Sequence, residues 1–555
     1  MRRTVRWQAL LIGVGMALAA ILLTYLALTY TTTQVPTVGG TYVEGTAGTP
    51  HSINPLLSAY NEVDRDLCAL VFNGLTRFNE RGEVVPDLAE SWEISLDGLT
   101  YIFHLRDNVY WHDGVPFTAD DVVFTTHLLQ DPDYPGPPDV GALWQAVKVV
   151  KIDDHTVRMV LPEPFAPFLD YTTIGLLPAH LLEGTPSADL PTLEFNLKPV
   201  GTGPFRVAEV QTAEGEIRSV LLERNPRYFR PGPLVEHIRF RFYPSYSTAF
   251  RAYQNGDVEG VGEIQLEDLP AARQETDLNL YSAQLAQYSI IFLNLARADD
   301  LPFFQEVKVR QALLYGLDRE AIVQDLLDGQ GLVAHSPIIA GTWAYDPDVR
   351  RYEYDPDQAR ALLDEAGWKM PPGGAVRSKE DHPLSFELLA STDPLHEAIA
   401  NEVARQWGEL GIQVTVVVTA PAEIRDALEK REYQAALVDL ALPGDPDPYP
   451  LWHQTEITRG QNYAGLDHRR ISEIIETARI VVDRQQRIDL YREFQQVFAD
   501  EVPAILLYYP IYTYGVSNKV KGVQIGPLMY PSDRFATVNR WYVATKRVII
   551  SQAAR

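Results

Sequence analysis

Asn294 to Gly331 is where this chain changes character, and the change limits the folds open to it more than any other feature. Ahead of it lie segments that read mostly as strands; beyond it, helical and strand patterns alternate. Within the stretch Val309, Ala312, Leu313, Gly316 and Leu317 recur at i, i+3, i+4, i+7 and i+8, the stripe of a helix packed on a core. Arg310 and Gln311 fall off that stripe. Asp318 then reads as an N-cap with Glu320 in the first turn, and Ile322, Val323, Leu326 and Leu327 form a second apolar face before Gly329 and Gly331. Two short amphipathic helices are thus predicted to meet at Gly316 to Asp318, where one lobe ends and another begins.

The two halves predict different layers. From Thr41 to about Asp189, turn pairs at Asp97-Gly98, Asp113-Gly114 and Asp153-Asp154 separate alternating segments such as LTYIFHLR, so an antiparallel subdomain is expected. Gly201 to Tyr243 is again strand-like. After the opening stretch, helix YDPDQARALLDEAGW, strand LSFELLAS, a helix striped by Ile399, Val403, Trp407 and Leu410, strand IQVTVVVT, a helix with Ile424 and Leu428, and strand AALVDLAL follow in turn. That order predicts parallel strands covered by helices. Asp467 to Asp500 adds long helices, and AILLYY, Ala504 to Tyr509, returns as a strand. Tyr281 to Leu295 and this returning strand are the expected double crossover, and two lobes joined by two strands make a hinge with a cleft.

At 555 residues the chain exceeds one hydrophobic core, and 46% hydrophobic with 10% aromatic residues excludes disorder. A formal net charge of -26 without a Lys/Arg cluster argues against a nucleic-acid partner. Cys68, the only cysteine, excludes an intrachain disulfide, a Cys-based zinc site and a lipid anchor on an N-terminal Cys; its setting in LCALVF reads as a buried thiol. No charge occurs from Ala9 to Tyr30, a run long enough, at about 1.5 Å per residue, to cross a hydrocarbon core of roughly 30 Å. Arg2, Arg3 and Arg6 precede it and place the N-terminus inside. A retained anchor is expected over a cleaved signal peptide, followed by a polar tether from Thr31 to Gly40.

Catalytic signatures are missing: the sequence has no Gly-x-Ser-x-Gly, no His-Glu-x-x-His and no Cys-His arrangement, so no enzyme and no cofactor are expected. His104 and His112 lack an acidic partner cluster and read as structural rather than metal-binding. Gly-Thr-Gly at 201 to 203 is a turn and not a nucleotide loop. In GDPDPYPLW, Gly444 to Trp452, prolines at 446, 448 and 450 make a rigid loop after a strand. Ligands sit at such loops in α/β lobes, which makes Tyr449 and Trp452 candidate cleft aromatics.

Several of these blocks carry a resemblance. Asn294, Pro302-Phe303, Val309-Arg-Gln-Ala-Leu and Asp318-Arg, the stretch VPDLAESWEISLDGLTYIFHLRDNVYWHDGVPFTADDVVFT, and then GTGPF and ERNPRYF occur in the order found in the family 5 extracellular solute-binding proteins of ABC importers, the group holding the dipeptide, oligopeptide and nickel binders. The resemblance runs from roughly Tyr42 to Pro510. It implies an α/β, two-lobed periplasmic-binding-protein-like fold with an extra subdomain and a hinge of two crossovers, here preceded by one N-terminal transmembrane helix. Expected boundaries are 1–38 for anchor and tether, 39–285 for lobe 1 with the hairpin-rich subdomain at about 75–190, 286–503 for lobe 2, and 504–555 for a return to lobe 1 and a tail.

The implied function is a membrane-tethered receptor at the outer face of the cytoplasmic membrane, monomeric, that delivers its ligand to an ABC permease and ATPase. Gly48, Thr49, Pro50 and His51 match the segment lining the family cleft on lobe 1. Aligning GDPDPY puts the amine-binding aspartate of the dipeptide binders at Leu442, with Asp439 nearby; counting back from Trp407 puts their carboxylate-binding arginine near Ala390. With neither anchor charged, an oligopeptide held by main-chain hydrogen bonds is expected, or an oligosaccharide stacked on aromatics. An exported hydrolase and a surface sensor or chaperone are the alternatives from other classes.

Overall fold

The computed structural model describes residues 2–549 apart from 80, 214, 381 and 443; residues 550–555 of the expected tail lie outside the described residues. One twelve-stranded sheet runs through both halves of the molecule. Its strands are β1 (Thr41–Ala47), β2 (Phe205–Ala213), β3 (Glu216–Arg224), β4 (His237–Tyr243), β5 (Gly260–Val261), β6 (Leu278–Gln284), β7 (Gln287–Leu293), β8 (Gly331–Val333), β9 (Ser385–Ser391), β10 (Gln413–Thr419), β11 (Ala435–Ala441) and β12 (Ala504–Ser517). The spatial order is β10-β9-β11-β7-β12-β5-β1-β4-β3-β2, with β6 and β8 also paired to β12.

In the second half β9 pairs in parallel with β10 and β11, as the helix-strand alternation predicts, while β7 lies antiparallel to both β11 and β12. Tyr288 to Leu293 of β7 are all buried, an apolar run interrupted only by Ser289 that suits a strand covered on both faces. On one face Ile291, Leu437 and Ile505 pack with Val309, Leu313 and Trp407; on the other Phe292, Ala436 and Tyr509 pack with Trp452 and Phe498. The hairpin-rich subdomain holds a four-stranded antiparallel sheet, Ala89–Ile94, Thr100–Leu105, Thr156–Val160 and Lys148–Asp153, and Gly98 takes the left-handed φ of 71° that its turn requires.

The two predicted helices are Val307–Tyr315 and Arg319–Leu326, with the Asp318 side chain accepting from Ala321 N at 2.9 Å. Arg310 departs from the pattern: it is buried, not surface-directed. Its guanidinium donates to the carbonyls of Phe304 (2.7 Å), Glu501 (2.7 Å) and Val502 (3.0 Å), satisfying groups left open where the helix Arg484–Glu501 ends. At the N-terminus, Arg2–Thr31 is one helix, and its described side chains, Trp7, Leu11 and Gly13 to Tyr25, are exposed. Among the described residues no helix is long and apolar enough to cross a membrane. The expected tether holds a strand, Thr32–Pro36, paired antiparallel with Thr545–Ile549.

Candidate functional site

The two crossovers lie side by side. β12 pairs with β7 through Ala504 to Tyr508 and with β6 through Ile511 to Ser517, so a single 14-residue strand passes from one lobe into the other. Its companion is broken between β6 and β7, where Leu285 N donates to Pro510 O (3.1 Å) and Ala286 N to Leu528 O (2.7 Å). Leu442, just past β11, donates its N–H to Ala286 O at 2.7 Å. The loop that follows β11 is therefore hung from the hinge itself.

Between the lobes lies a cavity of about 960 Å³. Phe72, Tyr134 and Tyr228 of the first lobe, Tyr288, Leu442 and Trp452 of the second, and Tyr530 of the returning segment all contribute to its wall. Trp452 is 1% exposed and packs on Phe292 and Phe498, its indole N–H set against the buried Tyr288 hydroxyl. The wall also carries aspartates and arginines from both lobes. Asp87 accepts from Asn73 Nδ2 at 2.9 Å and pairs with Arg230 at 2.7 Å, and burial still pushes its carboxyl up to about 6. Asp445 meets Arg487 at 2.6 Å, and Asp447 meets Arg479 at 3.1 Å. Burial pushes Asp447 up to about 6 against the pull of Arg479.

These charges also close the cleft along one edge. Ala166 N of the first lobe donates to Arg479 O at 2.8 Å, and the Arg479 guanidinium lies 5.0 Å from the Phe165 ring and 4.3 Å from the Tyr449 ring. Arg484 pairs with Glu83 across the same edge at 3.0 Å. Asp170 projects from the subdomain to the Gly444-Asp445 backbone; burial, with Asp445 opposite, pushes its carboxyl up to about 8, and its Oδ2 is buried without a hydrogen-bond partner. Among the described residues no group of three or more His, Cys, Asp or Glu could hold a metal ion.

The residues singled out from the sequence fall into two sets. Leu442 and Trp452 line the cavity. Tyr449 stands one layer behind it, stacked on His453 at 4.1 Å and under Arg479. Asp439 projects from β11 and receives His396 Nε2 at 3.0 Å, while His396 Nδ1 meets Ser391 Oγ at 2.8 Å. Gly48 to His51 form a tight turn outside the lining: Gly48 N donates to Tyr243 O, Asn61 Nδ2 to Thr49 O, and His51 N to the buried carboxylate of Asp64; Pro50 is buried beside them. Ala390 is buried in the second lobe's core. Asp87, Asp170, Asp445, Asp447, Arg230 and Arg479 were not singled out from the sequence; the only mark they leave there is the Asp-Pro repeat of Gly444 to Pro450.

This arrangement, two lobes about a paired crossover with ligand-sized space between them, recurs in known proteins. The chain is 30% identical over 520 residues to the oligopeptide-binding protein AppA of Bacillus subtilis, covering 92% of each chain. It is 28% identical to the dipeptide-binding protein of Escherichia coli, covering 88% of this chain and 92% of that one. The structure of the Bacillus subtilis AppA in complex with a nonapeptide covers 92% of this chain and 100% of its own, at a TM-score of 0.69. The model of the middle region of the bacterial extracellular solute-binding proteins, family 5, matches residues 83–462, and the chain belongs to that family.

Proposed function

We propose that this solute-binding protein takes up peptides longer than a dipeptide in the interlobe cleft, acts as a monomer, and hands its ligand to an ABC permease and ATPase. The observation that carries the reading is the cavity itself. At about 960 Å³ it stands at the top of the usual range for small-ligand sites, roughly 300–1,000 Å³, and both lobes supply its wall. The kinship with proteins named for oligopeptide and dipeptide binding, one of them solved with a nonapeptide, points the same way. Leu442 and Trp452 touch the ligand in this reading, while Gly48, Thr49, Pro50, His51, Asp439 and Tyr449 hold the turns and strands behind the contact surface. The lobes 39–285 and 286–503 are the moving parts, and the strand that opens the segment 504–555 joins them.

In the same reading the membrane anchor is the uncharged run Ala9 to Tyr30, which extends on both sides of the described side chains Gly13 to Tyr25 and so is longer than any described apolar span. Its support is Arg2, Arg3 and Arg6 followed by an uncharged run, which orients the rest of the chain outward. Native mass spectrometry of protein purified without denaturation, followed by calorimetry with peptides of two to nine residues and with oligosaccharides, tests the ligand class. Copurified or titrated peptide binding is the expected result. Heat from oligosaccharides alone, or from none of the panel, would overturn it.

A further inference from the structure

We propose that the ribbon formed by the two ends of the chain is a contact surface for anionic phospholipid headgroups. From Asn518 to Ile549 the sequence holds Lys519, Lys521, Arg534, Arg540, Lys546 and Arg547 against Asp533 alone, in a chain whose formal net charge is -26. The structure removes Arg534 from the surface, at 1% exposed and paired with Glu44 and Asp66, and ties up the half-buried Asp533, which accepts the backbone N–H groups of Met529 and Tyr530. Every exposed charge left in the segment is positive.

Pairing then gathers these cations at one place. Lys521 and Tyr542 exchange both backbone hydrogen bonds at 2.9 Å, Thr37 N donates to Ala544 O, and Thr545–Ile549 runs antiparallel to Thr32–Pro36. Lys519, Lys521, Lys546 and Arg547 are exposed, and none of the four makes an ion pair among the described residues. Glu236, Glu259 and Asp277, whose backbones bond Gly40, Ser517 and Asn518 at the ribbon's base, are carboxylates that come near among the described residues. Arg547 faces Gln34 and Lys546 faces Val35, three and four residues past the last residue of the helix at Thr31. At roughly 3.3 Å per strand residue that is about 10 to 13 Å, comparable with a screening length of about 8 Å at physiological ionic strength and within reach of long side chains. A bilayer crossed by the helix therefore meets the ribbon's cations at its headgroup layer, and an anionic leaflet attracts them. The inference rests on the anchor reading of Arg2–Thr31.

The test uses the full chain in nanodiscs of phosphatidylcholine alone and of phosphatidylcholine with phosphatidylglycerol. Coelution with either disc reads the anchor. Acetylation rates of individual lysines, read by mass spectrometry, report the surface. Lys519, Lys521 and Lys546 are expected to react about fivefold more slowly on the anionic discs. Lys148 and Lys308 should react equally on both, and 1 M salt should erase the difference because it shortens screening to about 3 Å. The double variant Lys546→Glu with Arg547→Glu should lose the protection of Lys519 and Lys521, whereas Lys546→Arg with Arg547→Lys should keep it. Coelution with equal rates on the two discs would overturn the proposal while sparing the anchor; protection seen only when the permease is added would also overturn it, by assigning the surface to an acidic protein loop. Failure to coelute with either disc would overturn both.

Discussion

Asp170 shows how a single side chain reports on the state of the cleft. Its carboxyl, pushed up to about 8, binds a proton far more tightly in the folded protein than in the unfolded chain, where an aspartate titrates near 3.9. A group shifted upward contributes stability that is complete below about pH 4 and is lost as the pH rises through about 8. The melting temperature is therefore expected to fall from about pH 5 to about pH 8 and to level off above that, and Asp170→Asn, which cannot ionise, should flatten that slope in a thermal scan at each pH. A slope unchanged by the substitution would place the titration elsewhere. Such a residue is invisible in the sequence because its partners, Gly444 and Asp445, belong to the other lobe. The position of Trp452 on the cavity wall, by contrast, follows from its loop after a parallel strand, where an α/β lobe offers its edge, while Leu442 was picked out only by the family resemblance. Arg479 sits in a long helix whose other charges face water, and nothing local distinguishes it; only the approach of Phe165 and Asp447 does.

At the scale of elements, the pair of helices around Gly316 was readable because apolar period and capping agree. Gly316 itself is there for space: a Cβ at this position would run into Leu410 Cδ1. Gly316→Ala is expected to destabilise by about 1–3 kcal/mol through overpacking. The position does not line the cavity, so ligand affinity measured by calorimetry should stay within a factor of two, roughly 0.4 kcal/mol. A lost affinity alongside unchanged stability would contradict this account. The burial of Arg310 was not legible for a physical reason: a charged residue off an apolar stripe is normally solvated, and only the neighbouring helix end, with open carbonyls at Glu501 and Val502, makes its burial favourable. The pairing of Thr32–Pro36 with Thr545–Ile549 was likewise beyond reach, because two isolated strands at opposite ends of a chain leave no periodic sign of each other.

At the scale of the molecule, the hinge and the cleft together set what can bind. Closure about Leu285-Ala286 and the middle of β12 should lower the radius of gyration in small-angle scattering when ligand saturates the protein, and an unchanged radius would count against hinge motion. The same geometry bears on ligand length. A dipeptide is a zwitterion, and holding it inside the cleft requires a partner for each end. Leu442 offers no charge, Asp445 and Asp447 are committed to Arg487 and Arg479, and Asp170, pushed up to about 8, keeps its proton at neutral pH and offers no anion. Taking Asp445 or Asp447 would break a buried pair at a cost of several kcal/mol. A longer peptide can carry its ends to the rim while its main chain lies along the half-buried Tyr134, Tyr228 and Tyr530, and the volume of about 960 Å³ leaves room for that. Dipeptides are therefore expected to bind at least about 100-fold more weakly than the preferred peptide, a difference of about 2.7 kcal/mol. Calorimetry with an alanine-based series from two to nine residues decides it. Affinity should climb steeply beyond two residues and then level off; a dipeptide within tenfold of the longest member would mean that one of these aspartates is released to the ligand on closure, and Asp170→Asn and Asp447→Asn would show which.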